Sequence, residues 1–195
     1  ETIRLLILEF MKRNFLEFFL LSLLILPTSI KHLNAQQNLN DYYNSQALIK
    51  LNNKDYIGAL KDLNESINLG PSPGDFDYKD SYGLRAKVNQ ELGNYQEALK
   101  DINVYINYFP KQEQAYELRH SIKYDMEDYY GAIEDANIML IINPNYGKAY
   151  TSRGLSKLKL NKNQEACSDF RKALGLLGGS DLGVVTWGLI DKLCK

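Results

Sequence analysis

An all-α solenoid of four helix-turn-helix units, closed by a C-terminal capping helix, is the fold this sequence predicts, and three observations predict it. The first is a set of aligned columns. Ala59, Ala98, Ala132 and Ala166 are separated by 39, 34 and 34 residues, and Tyr43, Tyr82, Tyr116 and Tyr150 repeat those steps. Asp62, Asp101, Asp135 and Asp169 keep them as well. Several independent columns in one register mark an internal repeat, and self-similarity at a fixed period of roughly 20–50 residues is the signature of stacked repeat folds. The second observation is punctuation: Pro71, Pro110 and Pro144 keep the first two steps, and proline cannot continue a helix. The third is composition, 45% hydrophobic and 24% charged, which suits a globular chain rather than a disordered one.

The first element lies outside the repeats. Residues 1–35 read as a signal peptide: Met11-Lys12-Arg13 supplies a positive start, Phe15 to Leu26 a mostly apolar run, and Asn34-Ala35-Gln36 a small residue at a cut site. The apolar run is shorter than the ~20 residues a transmembrane helix needs. Glu17 interrupts it, and Leu33 is bulky where a small residue is preferred. The chain begins with Glu1, so Met11 is an alternative start. An uncleaved membrane anchor is the competing reading, and no cysteine near the cut favours a lipid anchor. Export to the periplasm or cell envelope is the expectation, with 36–39 as a short linker.

The units follow at 40–73, 79–112, 113–146 and 147–180, and a five-residue insertion at 74–78 accounts for the step of 39. First helices are expected near 41–52, 80–92, 114–125 and 148–160, and second helices near 56–68, 95–107, 129–141 and 163–175. Small residues at Ala47, Ala86, Gly154 and the alanine column let paired helices approach closely. Tyr56, Leu63, Ile102, Phe170 and Leu174 are placed to fill gaps between units, and Tyr56, Tyr95 and Tyr129 form a further column that ends in Asn163. Phe76 and Tyr78, beside Pro71, Pro73 and Gly74, read as loop or an extra half-turn, with an aromatic binding tip as the alternative. Residues 181–195 read as an amphipathic capping helix, and the end unit of a solenoid calls for a polar outer face.

Charge and residue types narrow the function. Net charge is −1, with no basic block, so nucleic acid is not an expected partner. Outside the leader, His120 is the single histidine. A zinc site needs three or four ligands, so no metal or cofactor is expected. His120 falls in the small-residue column of Ala47, Ala86 and Gly154, where a larger ring would loosen the helix pair. The aspartate column invites a catalytic reading, but successive carboxylates sit one structural unit apart and cannot converge on one bond as acid and base must. Each is expected to pair with an arginine of the preceding helix where one is present, as an exposed pair contributing about 0–1 kcal/mol. No catalytic residues are expected. An enzyme with an unrecognised carboxylate site is the alternative; it would require acids converging in a closed pocket. Cys167 stands in the core column of Leu60, Leu99 and Ile133, and Cys194 near the end of the capping helix. A buried free thiol and a Cys167–Cys194 disulfide both remain open; the disulfide would contribute about 3 kcal/mol in the chain-entropy model.

The period of 34 and the column residues resemble the tetratricopeptide repeat (TPR). The resemblance is strongest where Tyr150-x2-Arg153-Gly154 leads to Ala166-x3-Phe170-x2-Ala173. It covers about residues 40–180. The chain departs from the family pattern at Gln46, Arg85, Arg119 and Arg153, in place of leucine, and at Lys50, Asn89, Lys123 and Lys157, in place of the second aromatic. Gly178 stands where proline closes the other units. The resemblance implies a scaffold that binds a protein or peptide in a concave groove lined by the first helices. Carried over by position, the groove residues are Asn44, Leu48, Lys87, Glu91, Glu117, Ser121, Tyr124, Thr151, Leu155 and Lys159. Asp41, Asn52, Asp80, Gly83, Gln114, Asp125 and Lys148 are outward positions of the same helices. The Lys and Asn clamp of chaperone-tail receptors is not reproduced by Asn44 and Leu48. The Ala166-Cys167-x-Asp169-Phe170 run, with a cysteine close to the C-terminus, is similar to the end of exported bacterial TPR proteins, and this favours the disulfide. A membrane-anchored assembly factor, in which the N-terminal helix stays uncleaved, is the second functional expectation; membrane contact would then come only through that segment.

Overall fold

The structure, a computed structural model, describes residues 39–70, 77–178 and 180–194. The predicted leader and the tip residue Phe76 lie outside that range. The described residues form nine helices and no strand: α1 (39–52), α2 (Tyr56–Leu69), α3 (Asp77–Glu91), α4 (Tyr95–Tyr108), α5 (Glu113–Asp125), α6 (Tyr129–Ile142), α7 (Gly147–Lys159), α8 (Asn163–Leu177) and α9 (Asp181–Leu193). Each helix packs on its neighbours in sequence, in the manner of an α-solenoid. The helix bounds fall within about three residues of those read from the repeat. The largest difference is at α3, which begins at Asp77 rather than near 80, so the backbone of Asp77 and Tyr78 extends a helix.

The columns have separate physical roles. The aligned alanines Ala59, Ala98, Ala132 and Ala166 are at most 1% exposed and sit where the two helices of a unit touch. Gly154 shows how tight that contact is: a Cβ there would lie 2.5 Å from Cε1 of Phe170. Leu63, Ile102 and Phe170 are fully buried, each contributing roughly 1.5–3 kcal/mol of apolar burial. Tyr56 and Leu174 are only half-buried. The tyrosine column is tied to the proline column, since Tyr116 Oη donates to the Pro110 carbonyl at 3.1 Å and Tyr150 Oη to the Pro144 carbonyl at 3.2 Å.

The tight turn inside each unit has its own column. Lys54, Gly93, Glu127 and Asn161 all adopt φ near +60 to +76°, a left-handed conformation that only glycine enters freely. Three of the four turns therefore accept a strained non-glycine residue. Asp55 and Asp128 then cap α2 and α6, accepting from the Gly58 and Gly131 amides at 2.9 Å.

Candidate functional site

The aspartates come first because they carry most of the buried charge. Arg85 donates from Nε and Nη2 to Asp101 at 2.8 and 2.7 Å, and Arg153 does the same to Asp169 at 2.9 and 2.6 Å. Arg119 reaches Asp135 at 2.6 Å. In the first unit Gln46 stands in the arginine column, and the cation is Lys50 of the neighbouring lysine column, 2.6 Å from Asp62. The pairing matches the expectation, but the pairs are not exposed: Asp135 is 0% and Asp169 4% accessible. A third column, which the sequence reading missed, completes the arrangement. The remaining guanidinium nitrogen of Arg85, Arg119 and Arg153 donates to Asn64, Asn103 and Asn137 of the preceding unit, at 2.8, 2.7 and 2.8 Å. Each arginine thus joins its own unit to the one before. Its guanidinium also lies 5.3–5.6 Å from the ring centre of Tyr82, Tyr116 or Tyr150. Hydrogen bonding to the carboxylate holds the Arg85 and Arg153 pKa above the usual arginine value, against the opposing effect of burial. Every column carboxylate is thereby engaged by a cation of its own unit. Among the described residues no group of three His, Cys, Asp or Glu side chains is placed to hold a metal.

The first helices α1, α3, α5 and α7 line one face. Two adjoining pockets open along it. One of about 350 Å³ lies between α3 and α5 over α4, lined by Asp80, Gly83, Leu84, Tyr105, Gln114 and Leu118 among others. The second, of about 240 Å³, lies between α1 and α3, lined by Asp41, Asn44, Ser45, Leu48, Asp80 and Leu84. Asp80 and Leu84 belong to both, so the pockets form one trough. Its floor residue Tyr105 comes from a second helix, which position-by-position transfer along first helices could not find. Gly83 makes room for it, since a Cβ at that point would lie 3.3 Å from the Tyr105 ring. Burial, with the neighbouring Asp80 charge, pushes the Tyr105 pKa up to about 12; its hydroxyl donates to Gln112 at 2.7 Å.

The predicted groove residues divide. Asn44 and Leu48 line the smaller pocket, and the other eight line neither. Lys87, Glu91 and Lys159 are exposed, and Leu155 half-buried. Glu91 accepts from Tyr56 Oη at 3.2 Å. Glu117 is taken up in a junction, accepting from Tyr146 Oη and lying 3.5 Å from Lys148 Nζ; burial, then the Glu117 bond, raises the Tyr146 pKa. Ser121 accepts from Gln90 at 2.7 Å. Tyr124 stacks on His120, and Lys159 Nζ is 5.9 Å from the Tyr124 ring centre. Thr151 is a correction. It is 3% exposed, because Thr186 of α9 closes over it at 3.3 Å between hydroxyls, and it is not a surface a ligand reaches.

Solved structures share this fold. A tetratricopeptide repeat protein from Parabacteroides merdae superposes with a TM-score of 0.67 at 20% identity, over 80% of this chain. The chain spans 60% of that protein's length. Pseudomonas aeruginosa pilF matches with a TM-score of 0.67 at 17% identity, over 81% of this chain and 70% of the other. The first TPR of Spaghetti (RPAP3), bound to an HSP90 peptide, matches with a TM-score of 0.53 at 21% identity, over 60% of this chain and 94% of its own. No curated protein matches in sequence. A family model of the tetratricopeptide repeat matches residues 147–176, which are α7 and nearly all of α8, and the other three units repeat their columns. Residues 147–176 thus carry a tetratricopeptide repeat, and the described stack as a whole has the fold of solved TPR proteins.

Two features of this TPR stack differ from expectation. His120 does not loosen its helix pair. Its ring is buried, and Nε2 lies 3.1 Å from the Ser152 carbonyl and 3.0 Å from Ser156 Oγ, pinning the third TPR to the fourth. Burial lowers its pKa. The capping helix is fastened as the disulfide reading expected and differs only in its outer face. Cys167 and Cys194 are joined, with Cα atoms 5.6 Å apart, so α9 is fixed to the last TPR. Its outer face, however, is apolar rather than polar: Val184, Val185 and Trp187 are all exposed.

Proposed function

We propose that this TPR protein is a non-enzymatic scaffold that holds an extended peptide, or an extended segment of a protein, in its concave groove. The observation that carries the reading is the continuous trough over α1, α3 and α5. It presents Leu48, Leu84 and Leu118 to apolar side chains and Asp41, Asp80 and Gln114 to polar ones. A trough open along its length suits side chains presented along a backbone better than a drug-sized ligand that must be mostly enclosed. The neighbours support the same use: the two RPAP3 TPR domains are bound to HSP90 and HSP70 peptides. A non-catalytic role is supported by the column carboxylates, each consumed by arginine or lysine within its unit.

The compartment we propose is the bacterial cell envelope after export. The Cys167–Cys194 disulfide supports it, because disulfides persist in oxidising compartments. The order of charged and apolar residues in 1–35 supports it as well. The second reading, a membrane-tethered assembly factor, rests on the same apolar run. No helix among the described residues is long and apolar enough to cross a membrane, so a tether would have to come from that segment. N-terminal sequencing of the protein recovered from envelopes decides between them: a chain starting near Gln36 supports cleavage, and one retaining Phe15 supports the tether.

The groove is tested by affinity capture from the envelope fraction. Wild type is compared with a variant carrying Leu48→Arg, Lys87→Glu and Gln114→Arg, three exposed positions whose change should leave the circular dichroism and melting temperature in place. A partner recovered by wild type and lost by the variant supports the groove. Equal recovery by both would move binding to another face.

A further inference from the structure

We propose that the outer face of α9 is a docking site for a single amphipathic helix of a partner protein. That helix seats as the second helix of a fifth unit, with a large apolar residue over Gly188 and a basic residue against Asp191. The proposal is independent of the groove.

Register is the starting point. Helix α7 covers Gly147–Lys159 and α9 covers Asp181–Leu193, so both ends of α9 lie one period of 34 after α7. Gly183 is buried like its column mates Ala115 and Ala149. The Thr151–Thr186 contact joins α9 to α7, as the His120–Ser156 contact joins α5 to α7. Helix α9 is therefore the first helix of a unit, and the structure describes no second helix against it.

The face left open is the one that a second helix covers elsewhere. In the column of Gly188, residues Ala86, His120 and Gly154 are all buried. The Gly154 site is filled by the Phe170 ring of α8, whereas a Cβ on Gly188 would meet nothing within 4 Å. A glycine in mid-helix weakens the helix relative to alanine, and among the described residues nothing packs on Gly188 in return. Beside it, Val184 and Trp187 are 62% and 58% exposed and border a cleft of about 250 Å³ with Leu174.

Charge selects the occupant. In the third and fourth units, Lys123 and Lys157 reach across to the second-helix aspartates Asp135 and Asp169, at 2.8 and 2.9 Å. The residue one period after Lys157 is Asp191. Trp187 likewise replaces the arginine that pairs with that aspartate in α3, α5 and α7. With both cations gone and an acid in place, a helix carrying aspartate at the crossing is disfavoured, and one carrying lysine or arginine is complementary.

The probe is a lactam-stapled 15-residue peptide with the sequence of residues 163–177, alanine replacing Cys167 and lysine replacing Asp169. A control peptide keeps Asp169. Trp187 is the only tryptophan in the chain, so its emission reports directly on the face. The expected result is a blue shift on titration, with the lysine peptide binding about tenfold tighter than the control, a difference of about 1.4 kcal/mol. Asp191→Lys should invert the preference. Gly188→Leu should remove the response while leaving the far-ultraviolet dichroism and melting temperature of the protein unchanged. The proposal is overturned if neither peptide shifts the emission, or if Asp191→Lys leaves the preference as it was. It is also overturned if sedimentation shows that the protein alone dimerises with Trp187 covered, which would assign the face to a second copy.

Discussion

The junctions between TPR units and the junction at the C-terminal end are held by different chemistry. Between units one and two, two and three, and three and four, an arginine bridges the aspartate of its own unit and the asparagine of the one before. At the last junction both columns change: Arg171 stands where asparagine would be, and Trp187 where arginine would be. The polar bridge cannot form there. The Cys167–Cys194 bond takes over the fastening, and Arg171 donates instead to the Cys194 carbonyl at 3.4 Å. The same helix stack is thus fastened either by a buried ion network, repeated at each unit, or by one covalent link where the arginine and asparagine columns lapse.

The largest effect should come from breaking the network at its most buried point. Arg119→Ala leaves Asp135, fully buried, with only Lys123 as a cation, and should cost about 3 kcal/mol in urea unfolding, the low end for a buried ion pair broken on one side because Lys123 stays in place. Arg119→Lys should recover part of that loss but not the asparagine bridge, because lysine lacks the planar fork. A loss under ~1 kcal/mol for Arg119→Ala would show that the interior junctions do not depend on the bridge.

Removing the covalent link is the matching experiment. Cys167→Ala with Cys194→Ala should cost about 3 kcal/mol in the chain-entropy model. Hydrogen exchange should place the change in α9 first, with the first three TPR units retaining their protection. Uniform loss of protection along the stack would contradict a fastening that acts locally.

Asn103→Ala tests the bridge between units, and should cost about 1.5 kcal/mol, the low end for a hydrogen bond to a charged group because Asn103 is exposed. In a double-mutant cycle with Arg119→Ala the two costs should be strongly non-additive; additivity would mean that asparagine acts elsewhere. The smallest effect is a pH dependence. Burial lowers the folded-state pKa of His120, so its stabilising contribution is present above the unfolded value near 6.5 and is lost as pH falls through the folded value. The melting temperature should fall on going from pH 7.5 to pH 5, and His120→Gln should flatten that slope.

Much of the fold was legible because the repeat could be read by subtraction. Columns such as Ala59 to Ala166 and Asp62 to Asp169 give helix order and approximate bounds without any structure, since small residues are required where paired helices touch and an acid where an arginine faces it. The asparagines at 64, 103 and 137 were equally periodic, but their partners lie in the following unit, and a reading unit by unit did not look across the junction. Candidate site residues were less legible. Asn44 and Leu48 line the trough, whereas Tyr105 enters it from a second helix and Thr151 is closed off by α9. The burial of Asn40, Ser66 and Ser81 between the first two units, with Ser66 and Ser81 hydroxyls 2.8 Å apart, likewise leaves no mark in composition.

The sequence by itself determined the period, the helix pairs, the aspartate–arginine partnership and the residue types at each contact. These follow from local spacing, because a solenoid unit meets only its neighbours and every neighbour repeats the same surface. The tertiary structure alone decided which groove positions stay open, how far each pair is buried, that the two cysteines meet, and that the cap turns an apolar face outward. Those depend on how successive helices tilt over one another, and above all on what covers α9, against which the described residues place no second helix.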